Sequence, residues 1–599
     1  MFSNLWFLGG CGACIVLLSK YDPVIDQVED ITVSSCLTLL CSVNGCAITT
    51  TEGLGNSKDG FHSIHQRFAG FHSSQCGFCT PGMCISLFGA LVNAEKTDRP
   101  KPSPGFSKLT AVEAEKAIAG NLCRCTGYRS IADACKSFAA DVDMEDLGLN
   151  CFWKKGESPD VKISRLPSYD HNNEICTFPE FLKCEIKSSF LLDSQKSSWY
   201  NPVSVKELQS LLKAIKGNNG ARIKLVAGNT GMGYYKDLQH YDNYINLCYV
   251  PELSIIGKDH TGIEIGATVT ISKAIKALKT ESNGEFLSES EMVFKKIAVQ
   301  MEKIATQFVR NTGSVGGNLM MAQKNCFASD IATILLAAGS FVNIITDTMH
   351  EKLSLEDFLE RPPLDSESIL TSVKIPKWEP IKNDSSEKDC KMLFETYRAA
   401  PRPLGNALPY LNAAFLAEVC RWKSSGAITL NKCMLAFGAY GTRHSIRARE
   451  VEEFLTGKKL TLDVLYESIK LVGASVVPED GTTSSAYRSS LAVGFLFDFL
   501  GPLIDNVAKI SNHWLDNYGS AAIFTVDEVK QKHDQLDHVK VPTLLSLSKH
   551  VFEVTKEYHP VGEPVKKSGA ALQASGLYLL SLCSCASKHF KFVKLFVLV

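Results

Sequence analysis

The chain has 599 residues, 45% of them hydrophobic and 21% charged, which suits a globular protein of about four domains and excludes a disordered or collagen-like one. A formal net charge of −1 leaves no electrostatic footprint for nucleic acid or an acidic membrane surface. The 21 cysteines are too dispersed for a small secreted disulfide scaffold; they suit a reducing compartment, so a cytoplasmic protein is expected, with a minority of its thiols acting as ligands.

Met1–Leu18 is apolar but has no basic leading segment, and glycines and cysteines interrupt it, so a signal peptide is not expected. Within it lies Gly9-Gly10-Cys11-Gly12-Ala13-Cys14. Glycines let a loop wrap closely, so that its amides can point at cluster sulfurs. A plant-type ferredoxin spacing would put a first cysteine at position 6, where the chain has Trp6. Cys36 is the best distant ligand; Cys41 and Cys46 compete with it but read better as core thiols. Cys11, Cys14 and Cys36 thus form a three-ligand remnant, expected to be empty or unstable. Ile15–Leu18 and Ile31–Val33 are β-type runs, consistent with a small ferredoxin-like sheet.

Residues 61–140 turn helical. Thr80 can cap a helix with Pro81 at its first position, and Met83, Ile85, Leu87, Phe88 and Leu91 follow at helical spacing. Thr110-x-x-Glu113 is a capping box, with Gly120 as the stop. Two tight cysteine pairs, Cys76-Gly77-Phe78-Cys79 and Cys123-Arg124-Cys125, flank these helices and can place four thiolates around one inorganic core. A [2Fe–2S] cluster needs four thiolates. A tetrahedral zinc ion needs the same number, although structural zinc sites more often pair two Cys-x-x-Cys units; unligated thiols are the third reading. His62, His65 and His72 could bind a metal, but read better as a solvated or helix-face polar set. Residues 141–195 are polar and irregular, a linker over the surface.

Ser204-x-x-Glu207 caps an amphipathic helix through Leu208, Leu211, Leu212 and Ile215. A strand, Arg222–Ala227, opens into Gly228-Asn229-Thr230-Gly231-Met232-Gly233, a glycine loop that can cradle a pyrophosphate or simply make a tight turn. It is not the Rossmann fingerprint. A second glycine loop, Thr312–Asn318, follows an expected helix over 295–310, and Asp330 precedes a buried helix over 331–338. Two glycine loops and an acidic residue suit a dinucleotide; a plain N-cap is the other reading of Asp330. The final stretch, Leu577–Val599, is apolar, but Lys588, His589, Lys591 and Lys594 break it below the ~18 residues of a membrane span.

The motifs around Cys11, Gln75-Cys76-Gly77-Phe78-Cys79-Thr80-Pro81-Gly82 and Gly120–Arg129 resemble the iron–sulfur half of the molybdo-flavoenzymes, the family of xanthine dehydrogenase and aldehyde oxidase. The wording is most similar to plant aldehyde oxidases of the indole-3-acetaldehyde or abscisic-aldehyde kind, whose setting is auxin and abscisic acid biosynthesis. The resemblance runs from about Leu8 to Gly576. It implies a multidomain α+β chain: a ferredoxin-like β-grasp remnant over 1–60, a helical [2Fe–2S] domain over 61–145, a linker over 146–195, an FAD-binding domain over 196–380 and a flavoprotein C-terminal domain over 391–505.

Residues 506–599 would be a linker and the start of a molybdopterin domain, with the family pattern stopping at Gly576. The expectation is therefore a chain cut at both ends, without the molybdenum catalytic domain and without catalytic residues. The resemblance implies that Leu225, Val226, Ala227, Gly228, Asn229, Thr230, Gly231, Met232, Gly233, Ser314, Val315, Gly316, Gly317, Asn318, Asp330, Leu370 and Arg398 line the flavin, and that Gln75 faces the pterin. Ala400–Asn406 departs from the acidic loop of xanthine dehydrogenases, which favours dioxygen over a nicotinamide as acceptor. The full-length family turns an aldehyde into a carboxylic acid and is dimeric; no nucleic acid or membrane partner is implied. A xanthine dehydrogenase-like enzyme, an electron-transfer flavoprotein subunit and an inactive fragment are the alternatives.

Overall fold

The computed structural model describes residues 9–23, 25–143, 147, 166–170, 177–183, 190–193, 197–216, 221–235, 240–280, 289–346, 349–365, 367–380, 387–402, 405, 407–441, 444–504, 556–558 and 567–576. Trp6, most of the expected linker and the stretch from Leu577 onward lie outside them.

Strand β1 (Ile15–Asp22) pairs antiparallel with β2 (Gln27–Ser34) and β3 (Ala47–Thr49) in the order β2-β1-β3, so both β-type runs form as expected. Helix Thr80–Glu95 crosses this sheet closely: a Cβ on Gly89 would come 2.5 Å from Thr32 Cγ2. Four helices, Ser63–Gly70, Thr80–Glu95, Ala111–Ala117 and Arg129–Lys136, share a core of Phe68, Met83, Leu87, Ile131 and Phe138. Arg67 is buried among them, yet its guanidinium donates to the carbonyls of Ser137 (2.6 Å), Gly105 (2.7 Å) and Pro167 (2.8 Å) and lies over the Phe138 ring. A charge is tolerated there because its donors are satisfied.

The capping box closes as expected, Thr110 Oγ1 accepting from Glu113 N (3.3 Å) and Glu113 from Thr110 N (3.0 Å). Three local expectations shift. The helix ends at Ala117, before Gly120, which is a close-packing position where a Cβ would meet Phe308 at 2.6 Å. Cys79 takes the cap position of helix Thr80–Glu95, and the Thr80 hydroxyl donates instead to Ser74 Oγ (3.1 Å). Cys41 and Cys46 are half-buried rather than core thiols.

Two of the three histidines, His62 and His65, are buried rather than solvated, and His72 is half-buried. His62 is buried and caps helix Ser63–Gly70 by accepting from Ile64 N (3.1 Å). His65 is fully buried against Thr51 Oγ1 (3.1 Å). That hydroxyl donates to the Ala574 carbonyl (2.8 Å), so its oxygen accepts the His65 Nε2 proton and Nδ1 is left bare and unpartnered. Burial pulls the His65 pKa down to about 3. A depressed imidazole contributes stability above its unfolded value of about 6.5, and that contribution is lost as the pH falls from there toward 3. Thermal unfolding followed by circular dichroism is expected to show Tm falling across this window, and to show a flatter dependence in His65→Gln.

Strands β4 (Phe190–Asp193), β5 (Ser198–Asn201), β6 (Ile223–Val226) and β7 (Asn243–Asn246) form a second sheet in the order β4-β5-β7-β6, with β5, β7 and β6 parallel. β4 falls inside the stretch expected as linker; as an edge strand with exposed Leu191 and Leu192 it carries no clear alternation to betray it. Helix Val205–Lys216 makes the crossover, capped by Ser204 Oγ accepting from Glu207 N (3.1 Å), and buries Leu208, Leu212 and Ile215. A third sheet, of β8 (Ile256–Asp259), β9 (Gly262–Gly266), β10 (Phe341–Thr346), β11 (Met349–Ser354) and β12 (Ser368–Pro376), runs β11-β10-β12-β9-β8. The helix expected over 295–310 is broken: Glu289–Glu302 ends, Ala305 turns to φ +52°, and Thr306 caps a fresh turn at Gln307–Arg310.

The last sheet, β13 (Lys388–Ala399), β14 (Leu411–Trp422), β15 (Ile428–Gly438) and β16 (Ile446–Arg447), is antiparallel throughout. β14 is buried on both faces. Ala414 and Leu416 enter the core of the preceding module, while Leu411, Ala413, Phe415 and Ala417 enter a core shared with helices Arg449–Leu455, Leu462–Ser475 and Ser485–Leu500. This two-sided burial is why residues 413–417 of β14 are apolar without a break. Cys390 and Cys420, opposite each other on β13 and β14, are disulfide-bonded, a pairing that the expectation of a reducing compartment did not include.

Candidate cofactor sites

Cys76 and Cys79 stand in the loop leading into helix Thr80–Glu95, and Cys123 and Cys125 in the loop leading into Arg129–Lys136. Gly77 (φ +83°), Gly127 (φ +66°) and Tyr128 (φ +72°) turn the two loops toward each other. The four thiols meet as two pairs: Cys79 shares a hydrogen bond with Cys123, and Cys76 with Cys125. Burial pushes the Cys79 thiol up, and Cys123 beside it adds to that. Burial also works against Cys123 ionisation, but the Thr126 hydroxyl (3.1 Å) and amide (3.4 Å) at its sulfur outweigh it and draw its pKa down.

No three of these sulfurs lie within 4.8 Å of one another. A lone tetrahedral zinc with bonds of about 2.3 Å needs all four sulfurs nearer than that, whereas two irons bridged by sulfide need two separated pairs. The one group of described residues that does meet this spacing is Cys390, Glu418 and Cys420, whose two sulfurs are bonded to each other.

Cys11, Cys14 and Cys36 also come together. Cys14 and Cys36 are hydrogen-bonded, and this bond, with Ser35, draws Cys14 down to about 6 while Cys36 is pushed up. Gly9 N donates to Cys36 Sγ (3.0 Å). The two thiol groups abut through a contact that no motif announced: Asn121 Nδ2 donates to Gly12 O and Leu122 N to Cys11 O, each at 2.8 Å. The fit is tight, since a Cβ on Gly82 would come 2.1 Å from Gly12 O.

The two glycine loops touch each other. A Cβ on Gly228 would stand 1.8 Å from Thr312 O, and one on Gly313 3.1 Å from Thr230 Oγ1. Leu225 is partly exposed and Val226 buried at the end of β6, Asn229 adopts φ +54°, and Met232 and Gly233 begin a short helix, Met232–Tyr235, after Ala227–Gly231. Asn229 Nδ2 donates to Leu37 O (2.9 Å), the residue after Cys36. Ser314 caps helix Val315–Asn325 by accepting from Gly317 N (3.0 Å), and Gly316 packs against Ala267. Asn318 Oδ1 accepts from Ser329 Oγ. Leu370 lies buried in β12.

Asp330 is not a cap. Ser329 caps that helix by accepting from Ala332 N (2.9 Å), which frees Asp330 to meet Arg398 (3.3 Å) and Asn412 Nδ2 (3.0 Å). Both charged side chains are nearly inaccessible, at 5% and 4%. Burial pushes the Asp330 carboxyl up, opposed by Arg398 and Asn412. Lys303, beside this pair, went unnoticed in the sequence; burial and then Arg398 lower its pKa. Gln75 is exposed, and its carbonyl accepts from Lys567 Nζ.

Three known domain families match parts of the chain. Residues 50–136 match a [2Fe-2S] binding domain, 194–378 the FAD binding domain in molybdopterin dehydrogenase, and 395–503 the CO dehydrogenase flavoprotein C-terminal domain. The chain is 54% identical over 572 residues to an indole-3-acetaldehyde oxidase of Arabidopsis thaliana and 54% identical over 570 residues to its abscisic-aldehyde oxidase, covering 95% of this chain and 40% of each relative. It is 50% identical to probable aldehyde oxidase 4 of Oryza sativa subsp. japonica, covering 95% of this chain and 66% of that one. The chain thus spans about two fifths of the length of the first two of these relatives. No helix among the described residues is long and apolar enough to cross a membrane.

Proposed function

We propose that this chain, homologous to the plant aldehyde oxidases over 95% of its length, is the electron-transfer half of an aldehyde oxidase of the molybdo-flavoenzyme family. Oxidation of the aldehyde to a carboxylic acid belongs on this reading to the molybdopterin centre of the longer relatives, in auxin or abscisic acid synthesis. On this reading the chain passes the electrons on, ultimately to dioxygen.

What supports the reading is the order of the three residue sets. Cys76, Cys79, Cys123 and Cys125 hold the [2Fe–2S] cluster on the outer side, and the Asn121 and Leu122 bonds join that loop to Cys11 and Gly12. Cys36 is in turn one residue from the Asn229 contact with the flavin loop. Bound there, the clusters and flavin supply one- and two-electron chemistry, while the protein sets their spacing. The thiolate pairs bind the irons, Thr126 stabilises the Cys123 thiolate, and the cluster loops exclude water from Cys79. The 225–233 and 314–318 loops, Leu370 and the Asp330–Arg398 pair hold the FAD.

The three-stranded sheet in 1–60 reads as a β-grasp, 61–145 as the helical cluster domain, 196–380 as the FAD domain and 391–505 as its C-terminal companion. Metal and flavin quantitation on the purified chain tests this. Iron, sulfide and FAD in the visible spectrum are expected, with flavin reoxidised by dioxygen to give hydrogen peroxide. Stoichiometric zinc, or a colourless preparation after anaerobic reconstitution, overturns it. Reduction by NADH transfers the reading to a xanthine dehydrogenase-like enzyme.

A further inference from the structure

Residues 567–576 return from the far end of the described chain to the outer cluster loop. Lys567 Nζ donates to Gln75 O and to Gln573 Oε1 (2.7 Å). Gln573 Oε1 also accepts from Ser74 Oγ (2.8 Å), and its Nε2 donates to Cys76 O (3.5 Å). A Cβ on Gly77 would meet the Gln573 side chain at 2.7 Å, so the loop and the glutamine are in van der Waals contact. The segment is anchored below by buried Ala570 and Ala574, the latter receiving the Thr51 hydroxyl. The backbone carbonyls of Gln75 and Cys76 therefore each face a donor from this one segment, and an exposed lysine ammonium is held at Gln75, one residue before Cys76 of the four-thiol set.

We propose that Lys567 and Gln573 are positioning residues for Cys76 that set the reduction potential of the outer cluster; this rests on the iron–sulfur reading above. The cluster gains a negative charge when reduced. A fixed cation at its edge stabilises that state, and a donor network that holds the Cys76 loop keeps its geometry constant between states. Removing the cation shifts the potential downward, and replacing it with arginine keeps it.

The test is an EPR-monitored redox titration of the full 599-residue chain, with the other redox centres as internal references. Lys567→Met is expected to lower the midpoint of one cluster signal only, and Lys567→Arg to restore it. Gln573→Leu, which keeps the charge but loosens the loop, is expected to broaden or shift the g-values of the same signal. Selective loss of that signal in either variant, with flavin content retained, also supports the positioning role. An unchanged midpoint and line shape in Lys567→Met and Gln573→Leu at full iron content overturns the proposal. Iron and sulfide analysis of the unaltered chain separates this from failure of the cluster reading itself: with no cluster in the parent, both fall together.

Discussion

Cys79→Ser is expected to strip the two irons of one cluster and leave the flavin in place. Cys79 is the buried member of the thiol set, with its sulfur against Cys123 and its backbone carbonyl accepting from Met83 N (3.1 Å) at the start of helix Thr80–Glu95. Serine preserves that backbone and most of the volume, so folding survives. What goes is a soft thiolate in a buried position that water cannot replace, and an alkoxide does not form there near neutral pH. Iron and acid-labile sulfide should fall by one cluster, with visible absorbance falling in proportion and FAD per chain unchanged. Cys84→Ser is the matched control: Cys84, still more deeply buried five residues further along and outside the set, should keep all its iron. Equal iron in parent and Cys79→Ser would remove Cys79 from the ligands.

Breaking the Asp330–Arg398 pair is expected to carry the largest stability cost in the flavin module. Asp330→Ala leaves a guanidinium that is 4% accessible with only the Arg402 and Ala407 carbonyls; Arg398→Met leaves a buried carboxylate with Asn412 and the neighbouring Lys303. Uncompensated buried charges of this kind cost about 3–5 kcal/mol. The double variant removes both charges at once, so its loss should be well below the sum of the two single losses. Urea unfolding of the four proteins measures this, and released FAD measures the functional side. Additive losses, or single losses under about 1 kcal/mol, would show that the pair is not coupled.

Features written within a few residues of one another were readable. The capping box at Thr110 and Glu113 and the Ser204 cap both closed, because a side chain reaching the third amide along needs nothing beyond its own turn. The cysteine pairs were readable for the same reason. The misreadings arose where a neighbour in space outbid a local rule. Thr80 could have capped its helix, but its hydroxyl is taken by Ser74. Asp330 carries an N-cap side chain, but Ser329 caps and Arg398 claims the carboxylate. The histidines are spaced like a polar helix face, yet His65 is buried against Thr51, whose hydroxyl is held by Ala574 of the distant 570–576 segment.

The sequence by itself determined which atoms are available: thiols in tight pairs, glycines where backbones must nearly touch, an acid and a base in the flavin module. Only the tertiary structure decided their partners. Cys79 faces Cys123 rather than Cys76, Asn121 joins one thiol set to the other, and Lys567 reaches Gln75 across 492 residues. Side-chain periodicity reports which face of a helix or strand is buried, and is blind to what buries it. Contacts between segments far apart in sequence are fixed by packing many apolar surfaces at once, and that choice leaves no mark in any one of them.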